Sequence, residues 1–165
     1  MMKENIVLSG MPGCGKTTVG RALSELSGRG MIDVDEEIVR ACGMEIREIF
    51  SLYGEAWFRE KETDIIEKVS ESRGVIIATG GGSVLRAENV EKLKQKGYIF
   101  FLDRPLEMLQ ISPERPIADS EVKLRALYEE RMPIYAGTAD KVVPNRGTVR
   151  ETCEQILKDW TGLPG

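Results

Sequence analysis

Gly10-Met11-Pro12-Gly13-Cys14-Gly15-Lys16-Thr17 follows the apolar run Ile6-Val7-Leu8 and leads into Thr18-Val19-Gly20-Arg21-Ala22-Leu23. The spacing G-x-x-x-x-G-K-T, with a strand before it and a helix after it, is that of a phosphate-binding loop. A nucleoside triphosphate carries several negative charges that must be held away from water. Glycines let the backbone turn so that its N–H groups converge on phosphate oxygens. The N-terminus of the next helix adds unpaired N–H groups and a positive dipole end. Lys16 is expected to reach the β- and γ-phosphates, and the Thr17 hydroxyl to ligate Mg²⁺. The ATP-binding stretch is therefore placed on Gly13, Cys14, Gly15, Lys16, Thr17 and Thr18. The Cys14 thiol is read as incidental, because the x positions of the loop accept many side chains.

Outward from this loop, apolar runs alternate with helical patterns. Strands are expected over 6–8, 31–35, 75–78, 98–102 and 141–143. Helices are expected over 15–26, 36–41, 44–52, 54–71, 87–96 and 148–160, with one or two turns over 105–111. A further helix over 121–135 should bend or end near Pro133. Val75-Ile76-Ile77-Ala78 is apolar throughout, as a strand covered on both faces should be. Such alternation predicts a three-layer α/β/α fold around a five-stranded parallel sheet with right-handed crossovers. The 165 residues fit one domain, 1–165. A short lid is expected near 111–120, where two prolines and mixed charge interrupt the periodicity.

Composition excludes several classes. The net charge of −4 argues against a nucleic-acid protein, so an anionic ligand must be held by locally placed cations. The chain contains no histidine, so base chemistry falls to a carboxylate. Three widely spaced cysteines, Cys14, Cys42 and Cys153, form no disulfide framework and fit a cytoplasmic location. No apolar run approaches the length of a membrane span, and no signal peptide or membrane association is expected.

A phosphate loop specifies a nucleotide and leaves the reaction open. Groups at the carboxyl ends of the strands must supply the rest. Asp33-Val34-Asp35 ends the second strand, where alternation would put both carboxylates on one face. One can support Mg²⁺ through water, and the other can take a proton from a hydroxyl nucleophile. Capping of the next helix is the plainer alternative. Arg59 and Glu62, three apart on a helix, are either a surface ion pair or an arginine fork held to grip a carboxylate. Gly80-Gly81-Gly82 suits a backbone that approaches a ligand closely. Arg115-Pro116 can deliver an arginine from a closing loop to the transferring phosphoryl group. Arg131, in Glu129-Glu130-Arg131-Met132-Pro133-Ile134-Tyr135, reads by itself as a solvated helix charge.

Taken together and in order, these motifs resemble the shikimate kinases, which share the nucleoside monophosphate kinase-like fold. The resemblance runs from Ile6 to about Leu157. It rests on Gly10 to Thr17, Asp33-x-Asp35, Gly54-Glu55-x-x-Phe58-Arg59-x-x-Glu62, Gly80-Gly81-Gly82, Arg115-Pro116 and Arg131-x-Pro133-x-Tyr135. It implies a P-loop kinase that moves the γ-phosphoryl group of ATP to the 3-hydroxyl of shikimate in aromatic amino-acid biosynthesis. Shikimate would be bound by Asp35, Arg59, Gly81 and Arg131, on acceptor-binding helices at about 35–62. Lys16, Asp35 and Arg115 would be catalytic. Thr17 would ligate Mg²⁺ directly, and Asp33 through water. Arg146 would pack near the adenine. The partners implied are ATP and shikimate, with a monomer and neither nucleic acid nor membrane. In one respect the chain departs from the family pattern. No Arg lies between Arg104 and Arg115, so Ile111 or Arg104 is left to meet the adenine. Other small acceptors, such as gluconate or a nucleoside monophosphate, and a nucleotide switch remain alternatives.

Overall fold

In this computed structural model, which describes residues 2–109 and 120–165, all five strands lie in one sheet and every pairing is parallel. The strands are β1 (Asn5–Ser9), β2 (Met31–Asp33), β3 (Ile76–Ala78), β4 (Gly97–Asp103) and β5 (Lys141–Pro144), in the order β2-β3-β1-β4-β5. The helices are α1 (Lys16–Ser27), α2 (Val34–Cys42), α3 (Ile46–Val69), α4 (Ala87–Lys96), α5 (Glu121–Thr138) and α6 (Val149–Thr161). The central β1 is fully buried, and alternation along it feeds two cores. Ile6 and Leu8 pack with α1, α5 and α6, whereas Val7 packs with α2, α3 and α4. These are the three layers expected. Because all strands run the same way, their carboxyl ends share one edge, and the loops leaving them meet there.

Two departures from the sequence reading, at the second strand and at Pro133, bear on the site. The second strand stops at Asp33, and Asp35 lies in the first turn of α2. Asp33 takes extended geometry and its side chain accepts the Glu36 N–H, so the helix starts at Val34. The two carboxylates therefore do not share a strand face. The helices expected on either side of Gly54 are both present within α3 and meet at a kink, where Gly54 adopts the non-helical φ 84° and ψ 170°. In α5, Pro133 neither bends the path to an end nor stops it, since the helix runs on to Thr138. The lid lies outside the described residues except for Ser120, which caps α5 by accepting the Lys123 N–H.

Candidate active site

The loop after β1 turns through glycines with positive φ. Gly15 (φ 95°) forms the N-cap of α1, a conformation that costs other residues free energy. Gly10 (φ 145°) also sits so close to Cys14 that a Cβ there would lie 2.8 Å from its Sγ. The Cys14 side chain is buried beneath the loop, and its N–H is donated to the Met11 carbonyl. Its side chain therefore serves the loop's packing. Lys16, although charged, is nearly buried; its ammonium donates to the carbonyls of Gly10 (2.7 Å) and Met11 (3.0 Å). Asn145, just past β5, donates to the Cys14 carbonyl (2.7 Å) and accepts from Thr152 of α6 (2.8 Å). This brace between loop and helix spans 131 residues of sequence. No local pattern announces it.

Thr17, one residue into α1, donates its hydroxyl to Asp33 Oδ2 at 2.6 Å. The two oxygens are hard donors of the kind Mg²⁺ prefers. Among the described residues no cluster of three or more His, Cys, Asp or Glu side chains is arranged to hold a metal. Mg²⁺ keeps several waters and takes phosphate oxygens along with one or two protein ligands, and a hydroxyl beside one carboxylate is a donor set of that kind.

On the other side of the loop, Arg59 of α3 donates to Glu62 Oε1 (3.0 Å) and, more loosely, to Glu55. Glu62 is 1% exposed, and Ser83 donates to its second oxygen at 2.9 Å. A buried carboxylate with both oxygens engaged fixes the guanidinium above it, so the surface-pair alternative falls. Arg131 is 4% exposed. It lies on the buried face of α5 with Leu124, Leu127 and Tyr135. The solvated-charge reading of Arg131 is thus corrected; its neighbours Glu129 and Glu130 had masked the buried side of the helix.

Gly80, Gly81 and Gly82 follow β3, none with positive φ. Each is glycine because something presses on it. A Cβ on Gly80 would lie 2.8 Å from Asp35 Oδ1 and 2.9 Å from Glu62 Oε2. One on Gly81 would lie 2.8 Å from Pro12, and one on Gly82 would collide with the Arg59 guanidinium, 2.5 Å from Cζ. The close approach foreseen for this segment is therefore made first by the site's own side chains. Asp35, crowded here, has its pKa raised from 3.8 to about 6. Loss of hydration dominates, the negative charges of Glu62 and Asp33 add to it, and Lys16 and Arg59 oppose it.

One cleft of about 1040 Å³ is lined by Lys16, Thr17, Asp35, Arg59, Gly81 and Arg131, with Gly13, Gly15, Thr18 and Asp33 in its wall. Arg104 lines it too, its guanidinium held by the carbonyls of Asn145 (2.8 Å) and Met108 (3.2 Å). Arg146 is exposed, beside this wall and not part of it. Arg115 lies outside the described residues. Ser83, Tyr135 and the bracing role of Asn145 carried no recognisable signal in the residues alone.

A phosphate loop at the centre of a parallel sheet, sharing one cleft with two arginines and a proton-hungry carboxylate, defines a P-loop kinase of a small acid. The comparisons narrow this class. The shikimate kinase family model matches residues 12–161. A shikimate kinase of Thermodesulfovibrio yellowstonii is 40% identical over 97% of this chain and 96% of its own. One of Caldicellulosiruptor bescii is 43% identical over 93% and 94%. The structure of the shikimate kinase from Acinetobacter baumannii in complex with shikimate superposes with a TM-score of 0.91 at 38% identity, covering 97% of this chain and 94% of that one. The chain belongs to the shikimate kinase family, whose reaction is the ATP-dependent phosphorylation of shikimate.

Proposed function

We propose that this chain transfers the γ-phosphoryl group of ATP to the 3-hydroxyl of shikimate, giving shikimate 3-phosphate and ADP, within a single domain acting as a cytoplasmic monomer. The observation that carries the acceptor is the pair of arginines, a half-buried Arg59 and a buried Arg131, that line one cleft with the crowded Asp35. Two arginines suit the carboxylate of the acid, and Asp35 together with the Gly81 backbone suits its hydroxyls. Asp35 aligns the nucleophilic hydroxyl and receives its proton as the new O–P bond forms and the bond to ADP breaks. Lys16 stabilises charge on the transferring group, and Arg115 adds a second cation from the lid. Thr17 and, through water, Asp33 would hold Mg²⁺, which would supply charge neutralisation at the phosphate oxygens. Arg104 offers a planar face to the adenine from the cleft wall, with Arg146 at its rim. A coupled ADP-release assay with Mg-ATP tests the reading: release should depend on shikimate. Release with gluconate or quinate in its place would change the acceptor, and no release with any acceptor would leave a binding module.

The raised pKa of Asp35 sets a pH limit. The reaction needs the ionised carboxylate, so kcat/KM should fall about tenfold per pH unit below about 6 and level off above it. The pH–rate profile checks this; a flat line down to pH 5 would remove Asp35 from proton transfer. The contact at Gly82 gives a second expectation. Gly82→Ala places a methyl against the Arg59 guanidinium, so KM for shikimate should rise tenfold or more while KM for ATP holds. Initial-rate kinetics in both substrates read the difference.

A further inference from the structure

Tyr135 is the fully buried end of the Arg131-x-Pro133-x-Tyr135 segment, and the reaction described above gives it no role. Its ring packs on Phe101 with centroids 5.3 Å apart. A buried phenol must find a partner for its hydroxyl, and the one found here is unusual for a core tyrosine. The hydroxyl donates to the Gly81 carbonyl at 2.6 Å, 54 residues away in sequence, and Arg131 lies one turn back on the same buried face of α5. We propose that Tyr135 is a positioning residue for the acceptor, fixing the Gly81–Gly82 peptide from the same buried helix face that carries Arg131, so that both are presented to shikimate. The proposal rests on the assignment of shikimate to this cleft.

Peptide planarity gives this contact its direction. A carbonyl fixed at Gly81 fixes the N–H of Gly82 on the opposite side of the same plane. Gly82 lines the cleft, and neither the Gly81 nor the Gly82 N–H is donated to another backbone group among the described residues. From the other side Gly81 is backed by Pro12 of the phosphate loop. The peptide is thus clamped between Pro12 of the phosphate loop and the Tyr135 hydroxyl. Burial pushes the phenol up to about 12, so the donor stays protonated throughout the working pH range.

Tyr135→Phe keeps the ring, its volume and its packing on Phe101, and removes the hydroxyl alone. KM for shikimate should rise about tenfold, the effect of losing one hydrogen bond between well-placed partners, while KM for ATP stays within twofold. A purely structural role would move both KM values together or neither, and either result overturns the proposal. Arg59→Lys, measured alongside, separates the two readings. If it weakens shikimate and Tyr135→Phe does not, the positioning role fails and the acceptor stands; if neither weakens shikimate, the acceptor assignment fails. An NMR titration of the unmodified chain with shikimate alone needs no variant. The Gly82 amide resonance should shift on saturation, and an unmoved resonance overturns the proposal.

Discussion

Arg59→Lys is expected to raise KM for shikimate about a hundredfold and to leave KM for ATP within twofold. Lysine keeps the charge but gives up the planar fork, and with it two parallel hydrogen bonds to a carboxylate. Hydrogen bonds to charged groups contribute roughly 1.5–3 kcal/mol each, and 1.4 kcal/mol is a factor of ten. The buried setting makes the loss larger than on a surface. Glu62, 1% exposed and bonded to Ser83, is built to meet a guanidinium, and a lysine ammonium cannot span both Glu62 and the acceptor in the same geometry. Steady-state kinetics with each substrate varied in turn give the answer. An unchanged KM for shikimate would take the acid away from Arg59.

Asp35→Asn is expected to lower kcat by about a thousandfold, within the usual span for a positioned proton acceptor, and to make the folded protein more stable at neutral pH. The second effect follows from the sign of the shift. The folded-state pKa, about 6, lies above the ordinary 3.8, so the ionised carboxylate is disfavoured by the fold. That cost is fully present above pH 6, shrinks as the pH falls through 6, and vanishes below about 3.8. Asparagine never carries it. A gain on the order of 1–3 kcal/mol in urea unfolding at pH 7.5, narrowing at pH 5, is the expected result. Equal stability of both proteins at both values would mean that the carboxylate is not crowded as described. The stability given up at Asp35 is the counterpart of its readiness to accept a proton.

The sheet and the phosphate loop were legible because their signals are local. A strand run, a fixed glycine spacing and a helix lie within some twenty consecutive residues. The acceptor side was legible mainly as an ordered set of motifs, not as geometry. Periodicity placed Asp35 on a strand, and the plainer alternative of a helix cap is the one Asp33 takes, which moves Asp35 into the helix. It left Arg131 in solvent because two neighbouring glutamates make the helix read as polar, whereas burial is decided by the sheet beneath it. The partners of Glu62, Cys14 and Gly81 lie 21, 131 and 54 residues away. Such pairings arise only from the fold. The glycine triplet shows the same division: its spacing signalled close approach, but only packing reveals that Pro12 and Arg59 are what approach it.

The strand order also has a consequence for synthesis. β1 is the first strand made, yet its neighbours in the sheet are β3 and β4, with Ser9 aligned on Phe101. A nascent chain must therefore carry the apolar Ile6–Leu8 segment unpaired until β3 has emerged from the ribosome, and with one edge still open until residues up to about 103 have followed. Non-local parallel pairing is slow, and unpaired strand edges invite aggregation in the meantime. The glycine-rich turn that follows β1 cannot take its final shape before that point either, since its Asn145 brace arrives later still. Ribosome-bound chains truncated before β4 should consequently bind no nucleotide, and the nucleotide-binding centre is among the last parts of the molecule to form although its residues are among the first to be made.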